Sequence, residues 1–112
     1  MKYAVPVSGG LLCAHFGHCE QFALIDADEE KKEIIKKELV NPPAHEPGLL
    51  PKWLAEKGVG FVIAGGMGMS ARNIFQEKGI KLVLGAMESD PEKAVLSYIK
   101  GVLATGENAC DH

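Results

Sequence analysis

The run Phe61-Val62-Ile63-Ala64-Gly65-Gly66-Met67-Gly68-Met69-Ser70 decides the fold. Four apolar residues without alternation read as a strand buried on both faces, and the glycines after them as a tight turn into a helix. That helix runs from about Ser70 to Lys78 and is stopped by Gly79. Toward the C-terminus, Lys81 to Leu84 repeats the buried-strand pattern. Asp90 then stands where an N-cap is wanted and Pro91 at the first helical position. Val95, Tyr98, Ile99, Val102 and Leu103 form one face of this last helix. Toward the N-terminus, Leu50, Trp53, Leu54 and Lys57 recur at helical spacing, and Gly58 suits a left-handed C-terminal cap. Helix, strand, helix, strand, helix predicts parallel strands with helices on the sheet faces.

The first half reads differently. Tyr3 to Val7 is a first strand, Ser8 to Gln21 a long excursion rich in Gly, Cys and His, and Phe22 to Asp26 a second strand. A charged stretch carrying Ile34, Ile35, Leu39 and Val40 reads as a third strand, paired to the second by a hairpin around Asp26 to Lys31, with a short helix as the alternative. Residues Asn41 to Gly48, with Pro42, Pro43 and Pro47, form a stiff loop. Together the halves predict one α/β domain over residues 1–112, a mixed sheet of about five strands with three helices.

With 46% hydrophobic and 24% charged residues the chain has the balance of a folded protein, not a disordered one. Twelve Lys and Arg against fifteen Asp and Glu leave a net charge of -3 and no basic track, which speaks against nucleic-acid binding. The densest charged stretch cancels itself: Glu29, Glu30, Glu33 and Glu38 lie among Lys31, Lys32, Lys36 and Lys37. No apolar run reaches the ~18 residues of a membrane span, and the N-terminus lacks a signal-peptide layout, so a cytoplasmic protein with reduced thiols is expected.

The chain has seven Cys and His residues, and four of them, Cys13, His15, His18 and Cys19, fall within seven positions. Soft thiolates at both ends, imidazoles between them and Gly17 to let side chains converge make a plausible metal loop, although no Cys-x-x-Cys pair is present. The plain alternative is that each cysteine is a small buried hydrophobe and each histidine a hydrogen-bonding residue. Cys110 and His112 form a second group at the end of the chain. Nine residues follow Leu103 and could span up to ~30 Å extended, enough to close onto the first loop; a loose tail is the alternative. His45, between prolines, is a further candidate ligand or an ordinary loop histidine.

Gly65, Gly66, Met67 and Gly68 lead into a helix N-terminus, where unpaired N–H groups and the helix dipole favour anions, and Arg72 follows one turn later. The loop lacks a P-loop Lys-Ser/Thr and the spacing of a dinucleotide fingerprint. It reads either as a tight packing turn or as a backbone cradle for an anionic ligand or cluster. Enzymatic readings fare poorly. Cys19 with His15 or His18 is a conceivable nucleophilic pair, but residues so close in sequence rarely supply the orienting group and oxyanion donors as well.

His15-Phe16-Gly17-His18-Cys19-Glu20-Gln21-Phe22, Asn41-Pro42-Pro43-Ala44-His45-Glu46-Pro47-Gly48 and the segment from Gly65 through Gly85 resemble the dinitrogenase iron-molybdenum cofactor biosynthesis family, the NifX/NifB-like cofactor-binding proteins. The likeness covers nearly the whole chain. It implies a ribonuclease H-like mixed sheet of five strands flanked by helices, and a carrier or scaffold for iron-sulfur or molybdenum-containing clusters in place of a catalyst. It further implies that the His15-Phe16-Gly17 turn, His45 and the Gly65 to Gly68 loop surround the cluster. Many family members lack cysteines at positions 13 and 19, so the ligand set Cys13, His15, His18, Cys19, His45, Cys110 and His112 is inferred from this chain's own residues. A ribonuclease H-type nuclease is rejected, because the first strand, Tyr3-Ala4-Val5-Pro6-Val7, carries no acid to hold a divalent metal.

The expected function is therefore a cytoplasmic cluster carrier that hands its cargo to an acceptor or cluster-assembly protein. Its alternatives are a domain with one structural or regulatory zinc and a metal-free protein-interaction domain. Three cysteines per chain would also suit a homodimer that shares ligands.

Overall fold

The computed structural model describes residues 1–13, 19–43, 49–103, 105 and 106. In chain order the elements are β1 (Lys2–Ser8), β2 (Leu11–Leu12), β3 (Gln21–Asp28), β4 (Glu33–Val40), α1 (Leu49–Glu56), β5 (Phe61–Ile63), α2 (Met69–Glu77), β6 (Lys81–Val83) and α3 (Pro91–Ile99). They build one mixed sheet in the order β4-β3-β1-β5-β6, with β2 paired to β1 off this path. The expected mixed α/β architecture with three helices is present. The sheet has six strands instead of five, because the excursion after β1 turns back at Gly9 and Gly10, both with positive φ, and pairs Leu12 with Val7 and Leu11 with Ser8.

The central position of β1 follows from its sequence: Tyr3 to Val7 are all buried, as a strand covered on both faces requires. Proline is uncommon in such a strand because it has no N–H for the ladder. Here β5 pairs with Tyr3 and Ala4, and β2 with Val7 and Ser8, so Pro6 falls between the two partners. The N–H of Cys13 donates to the Pro6 carbonyl at 2.8 Å, and Pro6 has no N–H to return, which ends β2 at Leu12.

The charged stretch is a strand, not the alternative short helix. Asp28 accepts from the N–H groups of Glu30 and Lys31, both at 3.0 Å, and Lys32 takes the left-handed φ of 57° that completes the hairpin. β4 is an edge strand, and its register shifts between Asp26 and Ala27 where Ile35 bulges out, 68% exposed. Bulges and lysines on an edge discourage pairing with another chain.

Each face of the sheet has its own core. On one, Ala4, Phe22, Leu24 and Val62 meet Leu50 and Leu54 of α1 and Phe75 of α2. On the other, Tyr3, Val5, Ile25 and Ile63 meet Ala94 and Val95 of α3. Pro51 is accepted inside α1 because the first turn of a helix leaves its N–H groups without acceptors. Gly58 and Gly79 end α1 and α2 with φ of 81° and 73°, as read from the sequence. One correction concerns α3, which stops at Ile99 and leaves Val102 69% exposed, outside the inward face. Gly101, at φ 75°, supplies the stop. Among the described residues no helix is long and apolar enough to cross a membrane.

Candidate functional site

β5 and β6 run parallel to β1, and β4 does too, being two antiparallel steps away. Their C-terminal ends therefore share one end of the sheet, the usual place for ligands in sheets of this kind. Hydrogen bonds tie the flanks of every candidate segment to that end. Beside β1, Cys13 bonds Pro6 on one side, while the Glu20 N–H donates to the Val7 carbonyl at 3.0 Å on the other. Glu20 also steadies the turn, its carboxylate accepting from Gly9 N–H at 3.4 Å and its N–H donating to Ser8 Oγ at 3.3 Å. Beyond β4, the Gln21 side-chain amide donates to Asn41 Oδ1 at 3.1 Å, fixing the start of the proline loop. After α3 the chain returns to pair Thr105 with Ala86, and the Gly106 N–H donates to the Gly85 carbonyl at 2.7 Å.

Cys13 and Cys19 are near enough for charge on one thiol to oppose charge on the other. Cys13 lies across Pro6 from Phe22, and Cys19 packs on the core shared with α1 and α2. Both are half-buried thiols. Burial first, and then the neighbouring Cys13, push the Cys19 thiol up to about 11. Such a sulfur is a poor free nucleophile. A soft metal that displaces its proton would make it a strong ligand. His15, His18, His45, Cys110 and His112 lie outside the described residues. Among the described residues there is no group of three or more His, Cys, Asp and Glu arranged to hold a metal ion.

The glycine turn is built tightly. Gly65 and Gly66 are buried, Met67 is 1% exposed and packs in the α1–α2 core, and the Gly85 N–H donates to the Gly65 carbonyl at 3.0 Å. Thus Met67 is an anchor of the turn, while Met69, 59% exposed, stands in solvent. Gly68 is the N-cap of α2; it offers no side-chain cap, and the first turn carries no acid. The opening N–H groups of α2 therefore keep their affinity for an anion. Arg72 is half-buried one turn along, its N–H donating to the Gly68 carbonyl at 3.1 Å.

Sequence reasoning missed β2 and the 2.7 Å bond from the Leu12 N–H to the Ser89 carbonyl, which joins the cysteine segment to the loop after β6. A two-residue strand has no periodicity to detect.

The profile of the family described as dinitrogenase iron-molybdenum cofactor matches residues 1–101. An uncharacterized protein of Methanocaldococcus jannaschii is 31% identical over 108 residues, covering 92% of this chain and 89% of the relative. The crystal structure of PH0822 superposes with a TM-score of 0.85 at 26% identity, over 94% of each chain. The apo form of the orange protein from Desulfovibrio gigas has the same fold, with a TM-score of 0.73 at 24% identity over 96% of this chain and 93% of that one. The chain belongs to the dinitrogenase iron-molybdenum cofactor family.

Proposed function

We propose that this protein is a non-catalytic, cytoplasmic carrier or scaffold for an iron-sulfur or iron-molybdenum type cluster, which it holds as cargo on a ribonuclease H-like domain spanning residues 1–112. One observation carries the reading: the backbone at Cys13 and next to Cys19 is tied to Pro6 and Val7 at the end of β1, with the two thiols near enough for their charges to oppose each other. Thiolates suit iron-sulfur and related clusters, and the N-terminal end of α2 suits their negative charge. Family membership supports a cofactor-associated role.

In this reading Cys13 and Cys19 are the primary ligands, and His15, His18, His45, Cys110 and His112 supply further donors. The buried Gly65, Gly66 and Met67 turn positions Gly68, the opening N–H groups of α2 and Arg72 against the anionic side of the cargo. Half-burial of the two cysteines favours release, because a cargo bound at an open sheet end can be reached by an acceptor or cluster-assembly protein.

The test is anaerobic purification followed by the visible spectrum and the iron, molybdenum, copper, zinc and acid-labile sulfide content per chain. Repeats use Cys13→Ala, Cys19→Ala and a chain ending at Gly106. A coloured, sulfide-containing protein that bleaches in the cysteine variants is expected. Colourless protein with about one zinc per chain would assign a structural metal instead. Absence of bound metal after reconstitution would leave an interaction domain.

A further inference from the structure

At the opposite end of the sheet, where β1, β5 and β6 begin, Tyr3, Phe61 and Lys81 stand side by side across three strands. Tyr3 and Phe61 stack with ring centroids 4.9 Å apart and planes 16° from parallel. Tyr98, near the end of α3, leans over both: its ring is 6.1 Å from Tyr3, edge-on, and 5.7 Å from Phe61, tilted. Between these rings, Ile99 and the hairpin residue Glu29 lies a hollow of about 440 Å³. A second hollow of about 450 Å³ adjoins it across Tyr98 and reaches Lys81. Nothing in the proposed cargo site uses either.

The two hollows differ in charge. Lys81 lines the second hollow, so that hollow repels another cation; its ammonium also stands 5.7 Å from the centroid of Phe61, which leaves Tyr98 and Glu29 as the groups of the first hollow open to a cation. In the first, Glu29 shares the lining with Tyr3, near enough for its charge to oppose ionisation of the Tyr3 hydroxyl. Tyr98 and Ile99, the last two residues of α3, bring the negative end of the helix dipole to its wall, with the exposed Lys100 as the C-cap that follows. Aromatic walls, a carboxylate and a helix C-terminus all favour positive charge on an apolar body.

We infer that this hollow binds an organic cation, an ammonium or guanidinium on an apolar stem, with Glu29 as counter-ion, Tyr98 as its open wall and the buried Tyr3 and Phe61 as its floor. Two sources share this chemistry: a free amine, and a lysine or arginine side chain offered by another protein.

The test is a proton NMR titration of the full chain with phenethylammonium, N-acetyl-arginine amide and the neutral isostere 2-phenylethanol. Tyr3 and Tyr98 ring protons should shift saturably with a cation by roughly 20 mM, and 2-phenylethanol should bind at least about five-fold more weakly. Tighter binding of phenethylammonium points to a free amine, and tighter binding of the arginine amide to a protein side chain. Glu29 is exposed, so Glu29→Gln should fold normally by circular dichroism and lose about five-fold in affinity for the better cation. Equal binding of 2-phenylethanol, no saturable shift of the tyrosines, or an unchanged affinity in Glu29→Gln would each overturn the assignment.

Discussion

Cys19 keeps its proton to about 11, first because it is buried and second because Cys13 is near enough for charge on one sulfur to oppose charge on the other. The pair is thus poorly suited to carry two free thiolates and well suited to share a cation, which cancels the repulsion and replaces the protons.

Alkylation should report this directly. With its proton held to about 11, Cys19 has far less thiolate at pH 8 than an unstructured cysteine, and iodoacetamide should label it roughly ten-fold more slowly once the greater reactivity of a more basic thiolate is included. Peptide mapping by mass spectrometry over pH 8 to roughly 11.5 should show the rate still climbing at the top of the range. A plateau near pH 9 would contradict the burial argument.

Stability at high pH follows from the same sulfur and from Tyr3. Burial first, then the charge of Glu29 and Tyr98, push Tyr3 up to about 12. Both groups bind their protons more tightly in the folded chain than in the unfolded one. Below about pH 7.5 both states carry both protons, so neither group changes the balance. Above it the unfolded chain releases protons first, and stability falls as the pH rises through about 11 for Cys19 and 12 for Tyr3. Thermal melts from pH 8 upward should show this decline, and Tyr3→Phe should make it shallower above pH 10. Identical slopes in the two proteins would remove Tyr3 from the explanation.

The fold was legible where local chemistry and burial agree. Phe61 to Ala64 and the glycine turn announced a buried parallel strand, and Gly58, Gly79 and the Asp90-Pro91 pair marked helix ends that the structure contains. Leu11 and Leu12 were illegible because two residues pair only when β1 already exists to receive them. Val102 was misread because apolar spacing ran past Gly101, and a left-handed glycine outranks periodicity in ending a helix. At the site, clustering in sequence singled out Cys13 and Cys19. Nothing local foretold that β1 lies between their backbones, or that Thr105 returns to Ala86, since both depend on long-range pairing.

The start of α3 offers a calibrated test of local energetics. Asp90 Oδ1 accepts from the N–H groups of Glu92 at 2.9 Å and Lys93 at 3.1 Å. Asp90→Ala removes both bonds and should cost about 1 kcal/mol, while Asp90→Ser should keep most of it. For a domain of this size that loss lowers Tm by about 4 °C. Urea denaturation should show the same difference as a lower midpoint with an unchanged slope. An Asp90→Ala melt equal to that of the parent would mean that Pro91 and the packing of Ala94 and Val95 fix the helix start unaided.

The first turn of α2 separates stability from cargo binding. Ser70 is exposed there, and the turn has neither an acid nor a side-chain cap. A carboxylate at this position complements the helix dipole, so Ser70→Glu should stabilise the metal-free protein by about 0.5 kcal/mol. The same charge would compete with an anionic cluster for the same N–H groups and should weaken its retention several-fold against a chelator. Ser70→Gln, neutral and similar in length, should do neither. Opposite signs for the two effects are what an anionic cargo at this helix end requires. If Ser70→Glu instead raised stability and cluster retention together, the cargo would carry its positive side toward α2, and the part given to Gly68 and Arg72 would fall.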